Sequence, residues 1–229
     1  MPKKENIRKM FDDIAPDYDR LNHILSLDVD RLWRRSAVRD IPEGLILDVA
    51  CGTGDSTVAI ASRLSGGSRV IGVDISEGML SQVPAKAETA GVADRVETET
   101  GDCEDLRFDD DTFDMVFCAF GIRNFEHRDR GLSEMLRVLK PDGKLVILEL
   151  SLPRNPLLRW CYKLYFMHIL PRIGGAVSGD RAAYRYLPAS VLKFPPPAAF
   201  TAEIAAAGFR NVGHKSLTFG LCRQFTAVK

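Results

Sequence analysis

The segment Leu45-Ile46-Leu47-Asp48-Val49-Ala50-Cys51-Gly52-Thr53-Gly54-Asp55 constrains the fold of this chain more than any other. A short apolar run passes directly into a Gly-x-Gly turn and then into a helical pattern, the junction from which parallel α/β sheets are built. Glycines let a ligand approach the backbone, and the start of the helix offers N–H groups that have no intrahelical partner. A tight turn with no ligand uses the same residues. A dinucleotide fold uses them too, but the third glycine or alanine of its fingerprint would fall at Thr57. Asp48 and Asp55 flank the loop, where carboxylates would repel a pyrophosphate.

Those acids suit a ligand carrying an ammonium group and a sulfonium, the charge pattern of S-adenosylmethionine. Asp74 ends the next apolar run, 20 residues beyond Gly54, where an acid can accept both hydroxyls of a ribose. Its neighbour Ser76 is a candidate helix cap, so part of the local polarity is structural. Gly101-Asp102-Cys103-Glu104-Asp105 follows a third run; a side chain there can reach an adenine edge, and a solvated acidic loop reads the same way. Asp48, Gly52, Gly54, Asp74, Asp102 and Cys103 are therefore candidate cofactor-binding residues.

Apolar runs at Leu45–Ala50, Arg69–Asp74, Arg95–Thr100, Asp114–Phe120 and Lys144–Leu150 predict buried parallel strands. Helix-period positions fill residues 55–64, 77–90 and 129–139, the last ending at Pro141-Asp142-Gly143. Strand alternating with helix means a doubly wound sheet. Before it, Ile7, Met10, Phe11 and Ile14 mark a helix stopped by Ala15-Pro16, and Leu32, Trp33, Ala37 and Val38 mark another. After it come a Pro-, Tyr- and Arg-rich insertion, a helix near 199–207, and strands at 209–216 and 221–228 joined by Phe219-Gly220 as an antiparallel hairpin. With no repeat or linker in 229 residues, the expectation is one domain: a helical preface at 1–42, a cofactor-binding core at 45–150, a substrate lid at 151–198, and a closing helix and hairpin at 199–229.

Lys plus Arg and Asp plus Glu both number 31, so no net field steers the chain toward nucleic acid. The five cysteines, at 51, 103, 118, 161 and 222, have neither redox nor zinc spacing, and the expectation is reduced thiols and no structural metal. His23, His127, His168 and His214 form no ligand pattern. The N-terminus lacks the apolar core of a signal peptide, and no run reaches the 18 or so apolar residues of a spanning helix, so the expected location is the cytoplasm.

Asp48 to Asp55, Asp74, Asp102-Cys103 and Leu136-Arg137-Val138-Leu139-Lys140-Pro141-Asp142-Gly143 together resemble the class I methyltransferases. That resemblance implies a Rossmann-like α/β fold with a seven-stranded, mostly parallel sheet. Tyr18-Asp19-Arg20-Leu21-Asn22-His23, Ser26 through Trp33-Arg34, Phe120-Gly121-Ile122-Arg123-Asn124, Leu148 to Pro153 and Tyr184 to Pro188 resemble the ubiquinone/menaquinone biosynthesis C-methyltransferase family, over nearly the whole chain. It implies methylation of a ring carbon of a polyprenylated quinol, with Thr53, Asp74 and Asp102-Cys103 on the methyl donor. The wording of the insertion is closer to the demethylmenaquinone branch; a benzoquinol or another hydrophobic phenol is the alternative acceptor. The chain departs from the family pattern at Asp28 and Asp142, where Gly is usual, at Leu150 for an aromatic, and at Ala119 for a Ser.

An aromatic carbon attacks a methyl group only when the ring is an electron-rich quinol, and a phenol titrates near 10, so the site must stabilise a phenolate or supply a base. Arg123 and Asn124 follow the fourth strand at the ligand-binding edge of the sheet and are the candidates for that catalytic task. A salt bridge to a neighbouring helix is the plain structural reading of Arg123. Tyr18, Asn22 and Arg31 are expected to fold over the donor or simply to cover the sheet. Residues 157–170 are apolar nearly all round, with Arg154, Arg159, Lys163 and Arg172 nearby. They read equally as a core helix and as a prenyl-tail groove touching the inner face of a membrane. A homodimer is compatible with all of this. Two other readings of the cofactor turn remain: a nucleotide-dependent oxidoreductase and a donor-binding subunit without turnover.

Overall fold

A computed structural model describes residues 4–26, 28–165 and 181–229. Its centre is a seven-stranded sheet of order β3-β2-β1-β4-β5-β7-β6, with β1 Leu45–Val49, β2 Arg69–Asp74, β3 Val96–Thr100, β4 Phe113–Ala119, β5 Leu139–Leu150, β6 Arg210–Leu217 and β7 Cys222–Val228. The first five strands run parallel, and β7 enters antiparallel between β5 and β6. The helices are α1 Lys4–Ile14, α2 Tyr18–Ser26, α3 Val29–Ala37, α4 Asp55–Ala61, α5 Glu77–Leu80, α6 Val83–Thr89, α7 Arg128–Val138, α8 Pro156–Leu164, α9 Arg181–Lys193 and α10 Pro197–Ala206.

The two-residue period of a strand sends neighbouring side chains to opposite faces, and the buried pairs Ile46/Leu47, Phe117/Cys118 and Ile147/Leu148 follow it. Leu47, Cys118 and Ile147 pack on one face with Leu132 and Met135 of α7 and Phe200 and Ile204 of α10. Ile46, Phe117 and Leu148 pack on the other with Trp33 of α3, Ile60 of α4 and Ala87 of α6. Phe200 meets Phe225 of β7 edge-on at 4.8 Å, which fixes α10 over the antiparallel corner.

The boundaries differ from expectation where proline or a strand wins. The helix expected over 77–90 is two helices, because Pro84 has no N–H to give the Leu80 carbonyl. α1 ends at Ile14, where Ala15-Pro16 was expected to stop it; Pro16 then sits in a single 3₁₀ turn at Ala15–Asp17 that leads into a further helix, α2, from Tyr18, because proline is tolerated in a first turn. Leu139, expected to close α7, already pairs with Phe113, so β5 begins five residues before Lys144 with a register shift. Asn155 caps α8, its Oδ1 accepting from Leu157 N at 2.9 Å and Leu158 N at 3.2 Å. His168, Arg172 and the end of the apolar run, Phe166 to Leu170, lie outside the described residues.

Candidate active site

At the carboxyl edge of β1 the chain turns through Ala50, Gly52 and Gly54, all with positive φ, and α4 starts at Asp55. The two glycines are needed for different reasons. A Cβ on Gly54 would stand 2.9 Å from the Val83 methyls, so that glycine serves packing against α6. A Cβ on Gly52 would meet nothing within 4 Å; its open side faces a cavity of about 90 Å³ at the sheet edge. Gly52 N donates to Asp74 Oδ2 at 2.8 Å, and Ser76 N donates to Asp74 Oδ1 at 2.9 Å. Asp74 is thus fixed across the end of β2, with acceptor capacity left for a ligand. Burial, working against those amides, raises its pKa.

Gly52, Thr53, Asp74, Asp102, Cys103 and Asn124 of the expected residues line this cavity; Asp48 and Gly54 do not. Asp48 lies on the Ile46 face of β1, under α4, where its Oδ2 accepts from Thr57 Oγ1 at 2.6 Å and its Oδ1 has no hydrogen-bond partner. Burial pushes its pKa up to about 7. Asp55, Asp102, Glu104 and Glu126 also line the cavity and outnumber its cations, Lys4 and Arg34. Burial raises the Asp55 pKa, yet Arg34 and Lys86 together bring the carboxyl below its ordinary range.

The preface is tied to this turn by polar contacts. Asp12 accepts from Ser76 Oγ at 2.6 Å and Gly78 N at 3.1 Å, and Thr53 Oγ1 donates to Asp19 Oδ1 at 2.5 Å. Lys86 of α6 pairs with Asp19 and, at 2.6 Å, with Asp55. His23 bridges Asp30 at 3.1 Å and Asp55 at 3.5 Å, joining α2 to α3 and α4. Lys4 is ion-paired with Asp102 and lies 3.5 Å from Glu104. Arg31, by contrast, is exposed beside Asp28 and reaches neither cavity.

A second cavity of about 420 Å³ adjoins the first and is largely apolar, walled by Trp33, Phe120, Leu150, Tyr162, Leu187 and Leu221, with Arg34 and Arg123 among the few charged groups. Arg123 is buried and anchored: its Nη1 stands 2.9 Å from Glu149 Oε1 and contacts the Phe120 carbonyl, and its Nε donates to Ser190 Oγ at 3.3 Å. Its backbone N donates to the other Glu149 oxygen at 3.2 Å. Burial works to lower the guanidinium pKa, but Glu149, Tyr18 and Tyr186 together outweigh it and keep Arg123 charged. Asn124 Oδ1 accepts from the Tyr186 hydroxyl at 3.0 Å. Tyr18, Arg34 and Phe120 line both cavities, and the Arg34 guanidinium lies 4.9 Å above the Phe120 ring. Lys4 was absent from the sequence-based candidates, and Arg34 and Phe120 stood there only within family-like motifs, with no site role of their own; they reach the site from distant elements.

The chemistry of this pair of cavities is that of a cationic, diol-bearing ligand placed beside an apolar one. Gly52 gives the backbone approach, Asp74 has the lone pairs for two hydroxyls, and the surplus of carboxylates complements positive charge, so the residues fit S-adenosylmethionine.

Comparison with known proteins agrees with this geometry. The family model for the ubiE/COQ5 methyltransferase family matches residues 1–229. The chain is 50% identical over 230 residues to the ubiquinone/menaquinone biosynthesis C-methyltransferase UbiE of Geobacter sulfurreducens, covering 99% of this chain and 90% of that one. It is 43% identical over 230 residues to the demethylmenaquinone methyltransferase of Bacteroides fragilis, covering 99% and 94%. Among solved structures, the cyclase SpnF superposes with a TM-score of 0.72 at 20% identity, covering 100% of this chain and 97% of that one. A SAM-dependent methyltransferase from Thermotoga maritima superposes at 0.66 and 19% identity, covering 96% and 99%. These two establish the Rossmann-like methyltransferase fold, and SpnF shows that the fold alone does not decide the reaction.

Proposed function

The chain belongs to the ubiE/COQ5 methyltransferase family, and from that membership we propose that it methylates a ring carbon of a polyprenylated quinol, converting demethylmenaquinol to menaquinol with S-adenosylmethionine as donor. The observation that carries this reading is the apolar cavity of about 420 Å³ set directly against the acid-lined cavity at the glycine turn. A hydrophobic ring fits the first and a charged donor the second. The Bacteroides relative carries the demethylmenaquinone name, which favours the naphthoquinol over a benzoquinol.

In this reading Asp74 holds the ribose hydroxyls, Gly52 lets the donor lie against the backbone, and Asp102 with Cys103 borders the adenine. The bound donor supplies an electrophilic methyl carbon on a positively charged sulfur. Arg123, charged and facing the apolar cavity, stabilises negative charge on the ring oxygen. Asn124, held by Tyr186, orients the ring from the donor side. Overall, the quinol loses one ring proton to solvent and gains the methyl, and the sulfur keeps the bonding pair and becomes neutral.

Helix α8 supports a contact with the membrane in which such a quinol resides. Leu157, Trp160 and Arg159 are exposed on it, while Tyr162 turns toward the apolar cavity. No helix among the described residues is long and apolar enough to cross a membrane. The test of the reaction is a labelled-donor assay with reduced naphthoquinones and benzoquinones, their oxidised forms serving as controls. Transfer to reduced demethylmenaquinone and to no oxidised quinone is expected. Transfer to a benzoquinol alone overturns the acceptor, and transfer to oxidised forms overturns the chemistry.

A further inference from the structure

A methyl group passing from a donor at the glycine turn to a ring in the apolar cavity must cross the boundary that Tyr18, Arg34 and Phe120 share. Phe120 offers only its ring there. Arg34 is engaged with Ser56 Oγ, lies 3.8 Å from Asp30, and stacks on Phe120, so its charge is fixed in place. Tyr18 is arranged differently. The side chain of Asn22, one turn further along α2, hydrogen-bonds the phenol and lines the apolar cavity beside it. Of the three, Tyr18 alone brings a neutral hydroxyl to the boundary between the cavities.

We propose that the Tyr18 hydroxyl donates a hydrogen bond to the acceptor's ring oxygen beside the carbon that is methylated, making Tyr18 a catalytic residue of the reaction proposed above, on which this inference rests. The step it assists is balanced without a further reactant. The ring hydroxyl ionises and its proton passes to solvent. The electron pair of the ring carbon then forms the carbon–carbon bond as the methyl–sulfur bond breaks toward sulfur. The ring C–H proton leaves to restore the quinol, and the oxygen is reprotonated. Negative charge on the oxygen is greatest just before the methyl moves, which is when a donated hydrogen bond helps most. Burial raises the Tyr18 phenol pKa, so it remains a donor rather than a base through the neutral range. The charged and titratable groups around it are Arg34 and Asp30 from α3, Asp19 on its own helix, Arg123 after β4, and Tyr162 and Tyr165 across the cavity.

The test compares wild type with Tyr18→Phe over pH 6 to 10, using demethylmenaquinol with a short prenyl tail, and measures donor affinity of each by calorimetry. A hydrogen bond to a charged oxygen predicts a fall in kcat of about 10- to 100-fold at pH 7 with donor affinity unchanged. The acid limb of the kcat profile should move to a pH about one to two higher, so that the two proteins converge in alkali. Asn22→Ala, which leaves the O–H present but less well placed, should show a smaller loss of the same form. Equal kcat values, a loss by the same factor at every pH, or a parallel loss of donor affinity overturns the role of Tyr18. A wild-type protein that binds donor but methylates no reduced quinone overturns the functional reading, and this one with it.

Discussion

At Arg123 one guanidinium has a structural duty and a chemical one. Its partner Glu149 is fully buried at 2.9 Å, so removing the arginine strands a carboxylate, which typically costs about 3–5 kcal/mol. Arg123→Ala should therefore lower the melting temperature as well as kcat. The double variant Arg123→Met/Glu149→Leu separates the duties: it should regain most of the lost stability and still turn over poorly, whereas recovery of turnover would leave Arg123 a structural residue. Asp48 gives a pH signature. Its folded-state pKa of about 7 exceeds the ordinary carboxylate value, so the folded state binds its proton more tightly. Stability attributable to this group is full below the unfolded pKa and is lost as pH rises from about 4 to 7, by up to about 4 kcal/mol. Denaturant melts at pH 5 and 8 should show that loss in wild type and a smaller one in Asp48→Asn; equal slopes would refute it. Asp28 and Asp142, which depart from a family pattern of Gly, sit at φ 59° and 62°, in the left-handed region. Their contacts, to Arg31 and Arg210, are solvent-exposed ion pairs of little worth. Asp28→Gly and Asp142→Gly should each stabilise the protein by about 0.5–1 kcal/mol in a urea melt, and a loss would show that those pairs matter.

At the scale of elements, α1 and α2 do more than cover a sheet edge. Asp12 and Asp19 hold the residues that shape the donor side, and Lys4 sits on Asp102, the position expected to border adenine. Deleting residues 1–22 should weaken donor affinity by ~10-fold or more while the sheet still melts cooperatively; undiminished binding would reduce the preface to a cover. The strands and the glycine turn were legible in the sequence because buried parallel strands leave apolar runs and only glycine turns so tightly beside a ligand. The place of Asp74 at the end of β2 was legible as the end of an apolar run. Asp48 does not line the cavity, and the strand period already put it on the Ile46 face, beneath α4. Arg34 and Phe120 lie in family-like motifs, but their meeting at the cavity boundary was not legible, because it depends on how α3 packs against the loop after β4, a tertiary contact with no local signature. Ala15-Pro16 was legible as the end of α1, but not as the 3₁₀ turn that leads into α2.

For the whole molecule, the polar cavity and the apolar cavity lie together at the carboxyl edge of one sheet, where such folds bind ligands. Helix α8 brings exposed apolar side chains close to the apolar cavity it helps to line. Flotation with anionic vesicles should recover the wild-type protein, and Leu157→Ser/Trp160→Ser should reduce that recovery severalfold; a wild-type protein that never floats would remove the membrane contact. Every role proposed above depends on the glycine turn and Asp74 forming the seat of a sulfonium donor. Isothermal calorimetry of S-adenosylmethionine on the full chain tests this most directly, with NAD as control and Asp74→Ala alongside. Saturable donor binding, no NAD binding, and an affinity loss of about 100-fold or more in Asp74→Ala are predicted from two lost hydrogen bonds to a carboxylate. No donor binding with or without quinol, or an Asp74→Ala protein that binds as wild type does, would contradict it.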